Sequence, residues 1–264
     1  MRPRPLADCP RELLAGLVGV LTDIDDTLTR DGAIEPEALA ALARLRAAGV
    51  PVIAVTGRPL GWSRPFACEW PVDAIVAENG AVALSLHDGV LHTAFAQDAA
   101  TRARNAQRLA EVAQRVLHEV PGATLARDSA GRATDIAVDH AEFARLDTAR
   151  IAQVVALMRG EGMNATVSSI HVNGWYGEHD KRSGARWMLR QLFGRELDDE
   201  RTRWAYVGDS TNDQAMFAHF PASVGVANLM QFAAQLEVWP AWITRAERGG
   251  GFAEFAAALL AARG

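Results

Sequence analysis

The sequence predicts an α/β protein: a doubly wound, Rossmann-like parallel sheet interrupted by a second, inserted α/β unit. Three observations carry this expectation. Short apolar runs alternate with helical patterns through the first 81 residues, the rhythm of a parallel sheet buried on both faces. The rhythm breaks at residue 82, where two strand patterns meet across Asp88-Gly89, a pair that favours a hairpin turn. It returns at Lys181 and continues to the end of the 264-residue chain.

Taken in order, Leu17 to Leu21 is the first apolar run, and it ends in acidic residues at the carboxyl end of a buried strand. Pro36, then Leu39, Leu42 and Leu45, then Gly49 punctuate a helix. Val50 to Val55 is a second strand, followed by Thr56-Gly57-Arg58-Pro59; a helix starts near Pro59, and Ala74 to Ala77 is a third strand. Inside the interruption, residues 82–86 and 90–95 read as the hairpin and 99–119 as a long amphipathic helix with Leu109, Val112, Val116 and Leu117 on one side. Strands are expected at 123–127 and 134–138, a helix near 147–162, and strands near 164–168 and 170–175. Lys181 to Phe193 is helical, Trp204 to Val207 a buried strand, Gln214 to His219 a helix and Ala222 to Val226 a last strand, before a closing helix through Leu260. The expected division is a discontinuous core, 1–81 and 180–264, and an inserted unit, 82–179.

Composition narrows the functional classes. The net charge is −5 and is spread along the chain, without the clustered Lys and Arg of a nucleic-acid footprint. Cys9 and Cys68 form neither a metal-ligand spacing nor a disulfide framework, which suits a reducing cytoplasm. Arg2 and Arg4 ahead of Leu13 to Leu21 imitate a signal peptide, but the run is short, follows Asp8, Arg11 and Glu12, and has no small-residue cleavage site. No apolar stretch reaches the roughly 20 residues that span a bilayer, so no membrane role is expected.

The chemistry gathers at strand ends. In Asp23-Ile24-Asp25-Asp26-Thr27 the first two carboxylates are two residues apart, so in extended backbone they point to one side. Like charges held together invite a hard divalent cation; the bland alternative is an acidic loop capping a helix. Thr56-Gly57 follows another buried strand, with a hydroxyl and backbone N–H groups suited to phosphate. Lys181 opens a helix, and Gly208-Asp209-Ser210-Thr211-Asn212-Asp213 follows a further apolar strand. Each segment alone is common. Together they lie at the carboxyl ends of separate strands, where open α/β sheets bind ligands.

These four segments resemble, in order and over essentially the whole chain, the four motifs of the haloacid dehalogenase superfamily of phosphatases. The insertion between the second and third, preceded by Glu78-Asn79-Gly80-Ala81, resembles the Cof-type subclass, whose α/β cap closes over small phosphorylated metabolites; sucrose-phosphate and mannosylglycerate-phosphate phosphatases share this layout. The resemblance implies Asp23 as nucleophile and Asp25 as acid and base. It implies Mg²⁺ bound by Asp23, the Asp25 carbonyl and Asp209, with Asp213 steadying the metal's surroundings. Thr56, Gly57, Lys181 and Asn212 would bind the phosphoryl group. Two departures stand out: Asp26 replaces the usual glycine and is expected to face solvent, and Arg182-Ser183 follow Lys181 where glycine is usual.

For the leaving group, Arg58, Asn79 and Gly80 lie at strand ends, while His171 and Trp175 lie in a stretch rich in polar and aromatic residues. A structural strand and hinge is the competing reading of that stretch. Arg127, Asp128 and Arg132 are expected in a solvated loop of the insertion. The leading function is Mg²⁺-dependent hydrolysis of a small phosphate monoester, a phosphosugar or related metabolite. Phosphotransfer between sugar hydroxyls and a non-catalytic metabolite sensor are the alternatives. The partner is a small phosphorylated molecule, and the oligomeric state is open between monomer and homodimer.

Overall fold

The computed structural model describes residues 2–264. The chain opens with β1 (Arg4–Pro5) and α1 (Arg11–Ala15) and enters β2 (Gly19–Thr22). A small hairpin, β3 (Thr29–Arg30) and β4 (Ala33–Ile34), precedes α2 (Pro36–Ala47), β5 (Val52–Val55), α3 (Leu60–Glu69) and β6 (Ala74–Ala77). Then come β7 (Val82–His87), β8 (Val90–Phe95), α4 (Ala99–Glu119), β9 (Thr124–Leu125) and β10 (Asp135–Asp139). They are followed by α5 (Thr148–Gly160), β11 (Asn164–Val167) and β12 (His171–Trp175). The chain closes with α6 (Lys181–Phe193), α7 (Leu197–Glu200), β13 (Trp204–Gly208), α8 (Gln214–His219), β14 (Ala222–Gly225), β15 (Trp242–Ile243) and α9 (Arg248–Arg263).

The core sheet has strand order β1-β15-β14-β13-β2-β5-β6-β7-β8 and is parallel from β1 through β6. From β2 the chain winds outward through β5 and β6, then returns to the other side at β13, so the order switches between β2 and β13. That is the crevice in which such sheets bind ligands. Strand alternation sends Val20 and Val52 to one face, against Leu42 and Leu45 of α2 and Phe252 and Phe255 of α9. Leu21 and Ile53 go to the other, against Met188 and Leu189 of α6 and Phe217 of α8. Each such fully buried side chain contributes about 1.5–3 kcal/mol.

The inserted cap is a four-stranded antiparallel sheet, β11-β12-β10-β9, with α4 and α5 on one face. Its interior takes Leu109, Val112 and Val116 from α4, Val154 and Met158 from α5, and Ile136, Val138 and Val172 from the strands. Alternation leaves Asp135, Asp139, His171 and Asn173 on the opposite face of β10 and β12. The expected elements from 99 to 175 all form, with boundaries shifted by a residue or two at most strands.

The expected start of the insertion at residue 82 is moved. Strand β7 pairs antiparallel with β6 and β8 with β7, so the hairpin extends the core sheet, and the cap's own elements begin at Ala99. The reason is local: Val82 and Leu84 are fully buried against the core, so the alternating pattern that marked a hairpin belongs to the sheet already formed. Among the described residues no helix is long and apolar enough to cross a membrane.

Candidate active site

Four core strand ends converge. Strand β2 delivers Asp23 and Asp25, β5 delivers Thr56 to Arg58, β13 delivers Asp209 to Asp213, and β14 leads to Asn228. The Asp23 N–H donates to the Val207 carbonyl at 2.8 Å, which carries the β2–β13 ladder one residue into the site. Thr56 N–H does the same toward Val76, also at 2.8 Å. Lys181 arrives at the first turn of α6, whose start is fixed by reciprocal bonds between Asp180 and Ser183. Gly80 lets that turn approach, because its φ is +107° and a Cβ there would collide with the Asp180 carbonyl.

Lys181 Nζ donates to Asp23 Oδ1 at 2.7 Å and to Asp213 Oδ1 at 2.8 Å, with all three side chains almost wholly buried. Burial opposes its positive charge, but Asp213 and Asp23 outweigh burial and hold the ammonium above the usual lysine range. Burial pushes the Asp23 carboxyl up, against the pull of Lys181 and helped by Asp213 and Asp25. Asp213 spends both oxygens on structure: Oδ1 takes Lys181 and the Tyr206 hydroxyl, and Oδ2 takes the N–H groups of Asp209, 3.0 Å, and Ser210, 3.2 Å.

The donor set fits a hard cation. Asp23, Asp209 and Asp213 each present a carboxylate oxygen within 4.8 Å of the others. Asp209 is fully buried; Asn228 donates to its Oδ2 at 3.2 Å, while Oδ1 has no partner. Burial, reinforced by Asp23 and Asp213, drives its carboxyl well above the ordinary range. An unpaired carboxylate oxygen in that position is costly unless a cation or proton meets it.

On the other side of Asp25 stands Arg58, 3% exposed. Its Nε donates to Asp25 at 2.8 and 3.1 Å, and its two terminal nitrogens donate to Asp128 at 3.2 Å and Glu142 at 2.8 Å. Asp128 and Glu142 belong to the cap. Arg132, also from the cap, bonds Asp128, Asp135 and the Gly57 carbonyl. Asp128 and Arg132 are therefore junction residues rather than parts of a solvated loop. Glu78 completes the junction, accepting from Leu60 N–H at 3.0 Å, Ala133 N–H at 2.9 Å and Thr134 N–H at 2.6 Å.

The remaining candidates separate. Thr56 is fully buried and its hydroxyl oxygen accepts from Arg58 N–H at 3.0 Å, leaving its own proton to donate. A Cβ on Gly57 would come 3.1 Å from Asn173 Oδ1 and 3.3 Å from Asn79 Nδ2, so this turn is closely flanked by both amides. Asn79 sits at φ 53° with Nδ2 unpartnered. His171 Nε2 meets Glu142 at 2.9 Å, and Trp175 Nε1 donates to the His179 carbonyl at 2.8 Å. Asn212 Oδ1 accepts from the Ser210 hydroxyl at 2.9 Å. Asp26 does not simply face solvent: its carboxylate pairs with Arg248 Nε at 2.7 Å, because the chain turns at Asp26, φ 53°, toward the start of α9.

Two cavities flank the cluster. One of about 300 Å³ lies between core and cap and is lined by Asp25, Arg58, Glu142, Ser169 and Arg248. The other, about 560 Å³, lies on the side of Lys181, Asn79, Trp175 and Asn212. Sequence reasoning missed Tyr206, Asn228, Glu142 and Arg248. Asn228 carried a usable signal, a polar residue just past the apolar strand at Ala222 to Val226; Glu142 carried none, since only the fold brings it to Arg58.

Residues 20–118 match the family model described as haloacid dehalogenase-like hydrolase. No curated protein matches the chain in sequence. Among solved structures, a Thermoplasma acidophilum protein superposes with TM-score 0.68 at 15% identity, covering 92% of this chain and 98% of its own. A HAD/COF-like hydrolase from Plasmodium vivax gives 0.68 at 18% identity, covering 95% and 99%. The sucrose-phosphatase of Synechocystis, solved with sucrose and phosphate, gives 0.63 at 17% identity, covering 92% and 97%. At these identities the likeness is one of fold, and it includes the inserted cap.

Proposed function

We propose that this chain, a haloacid dehalogenase-like hydrolase of the Cof type, hydrolyses a small phosphate monoester by way of a phosphorylated Asp23. The observation that carries the reading is the buried triad of Asp23, Lys181 and Asp213 beside the unpaired oxygen of Asp209. A structural ion pair has no need of a third, uncompensated carboxylate; a site that receives phosphate and a cation does.

In this reading Lys181 holds Asp23 through Oδ1 and leaves Oδ2 to attack phosphorus. As the new P–O bond forms, the ester P–O bond breaks and Asp25 gives its proton to the departing oxygen. Water then attacks the same phosphorus, Asp25 takes its proton, and the bond from phosphorus to Asp23 breaks to release phosphate. Thr56 and Lys181 donate to the transferring oxygens, and Asp213 keeps Lys181 and the Asp209–Ser210 backbone in place. Asp23, the Asp25 carbonyl and Asp209 would hold Mg²⁺, which supplies positive charge to the phosphoryl oxygens when bound.

The cavity beside Asp25 is the leaving-group chamber. Its acids and arginines are largely paired with one another, as in Arg58 with Glu142 and Arg248 with Asp26, so it offers a polar lining to a hydroxyl-rich group such as a sugar. The cap, from Ala99 to Trp175, closes this chamber. Phosphate release from a panel of phosphorylated sugars, polyols and glycerates, with Mg²⁺, tests the reading. Release from at least one member, lost in Asp23→Asn, is expected; isomer formation without phosphate would replace hydrolysis by phosphotransfer.

A further inference from the structure

We propose that Glu142, carried on the cap, is a positioning residue that sets the Asp25 carboxylate for proton transfer by holding Arg58. The inference rests on the acid and base role given to Asp25 above. Arg58 is a core residue, yet the core supplies only one of its three carboxylate partners; the cap supplies the other two. One face of its guanidinium lies over Trp62, 5.0 Å from the ring centroid, so rotation in the plane is what the carboxylates must fix.

Glu142 is the better fixed of the two cap partners. Its distance to Arg58, 2.8 Å, is shorter than that of Asp128, 3.2 Å, and Asp128 is shared with Arg132. The second oxygen of Glu142 is held by buried His171 at 2.9 Å. Its loop is fixed by Asp139, 2% exposed, whose carboxylate accepts the N–H groups of Ala141, Glu142, Phe143 and Ala144 at 2.9–3.1 Å. Partial burial alone would raise the Glu142 carboxyl, but His171 and Arg58 bring it down to about 2, so it meets Arg58 as an anion.

The geometry therefore runs from cap to reaction centre through three side chains. Asp139 shapes the loop, Glu142 seats Arg58, and Arg58 Nε grips both oxygens of Asp25 at the wall of the leaving-group chamber. Without Glu142, a terminal nitrogen of Arg58 is left buried and unpaired, and the guanidinium turns to find another acceptor. Asp25 then loses the orientation in which it faces the leaving oxygen. Closure of the cap and readiness of Asp25 become one event.

The test compares leaving groups that differ in their need for a proton. Glycerol phosphate expels an alkoxide and needs one; 4-nitrophenyl phosphate expels a stable phenolate and does not. With Mg²⁺ present, Glu142→Gln is expected to lower the single-turnover rate of Asp23 phosphorylation by glycerol phosphate about tenfold or more beyond its effect on phosphorylation by 4-nitrophenyl phosphate. Arg58→Lys, which keeps the charge and loses the three-way fork, is expected to repeat the selective loss and covers the case in which the first variant folds poorly. Parallel losses in the phosphorylation rate with both substrates, or a change confined to KM, would overturn the positioning role while leaving hydrolysis intact. Retention of turnover by Asp23→Asn would instead overturn the hydrolytic reading on which the inference stands.

Discussion

Lys181 Nζ lies 2.7 Å from Asp23 Oδ1, joining residues 158 positions apart in a contact almost closed to solvent. The same ammonium reaches Asp213, so a single cation compensates two buried carboxylates. Replacing Lys181 by Met leaves both uncompensated, and removing one partner of a buried pair costs about 3–5 kcal/mol. The variant is expected to lose turnover and to unfold at clearly lower urea; unfolding at the wild-type midpoint would mean that the pair is not coupled to stability.

Asp209 gives the metal its clearest signature. Mg²⁺ is expected to raise the melting temperature of the wild type, by about 2.7 kcal/mol of stabilisation at a hundredfold excess over Kd. Asp209→Asn removes a buried carboxyl whose ionisation burial opposes and one of whose oxygens is unpartnered, so without metal it is expected to be more stable than the wild type. It should also lose most of the Mg²⁺ response. An equal Mg²⁺ shift in both proteins would move the cation site elsewhere.

His179 sets a pH limit. Burial lowers its pKa from 6.5 to about 4, against the weaker pull of Asp180, and its Nε2 has no partner. The unfolded chain therefore takes this proton first as pH falls. The stability associated with neutral His179 is full above pH 6.5 and is lost progressively down to about 4. Melting curves across that window should fall less steeply in His179→Gln than in the wild type; parallel curves would show that the ring is solvated.

Glu78 is expected to hold cap and core together. It is fully buried and accepts from Leu60, Ala133 and Thr134, so Glu78→Ala leaves several N–H groups without acceptors. Each buried donor left unpaired costs about 1–3 kcal/mol. Loss of a single cooperative transition, or a melting point lowered by several degrees, is expected in calorimetry; an unchanged profile would contradict the junction's role.

The core and the cap's elements were legible because their cues are local. Apolar runs, Pro36, Gly49 and the pattern of residues 99–119 each act within a few residues. The strand-end motifs were legible because sheet topology sends Asp23, Thr56 and Asp209 to one crevice whatever the loops do. Two things were not. The pattern at 82–95 marks a hairpin but does not say which sheet it joins, and β7 found β6. Asp128, Arg132 and Glu142 look like ordinary loop charges until tertiary packing brings Asp128 and Glu142 to Arg58 and Arg132 to Asp128. Asp26 likewise gains a partner, Arg248, that is 222 residues away.

Hydrolysis by the proposed route turns on the covalent step at Asp23. Wild-type protein mixed with a turned-over phosphate monoester and Mg²⁺, quenched in acid and digested, is expected to carry one phosphoryl group on the peptide containing Asp23. Asp25→Ala should accumulate that species, and Asp23→Asn should show none and release no phosphate. Phosphoryl on any other residue, or continued turnover by Asp23→Asn, would contradict the account.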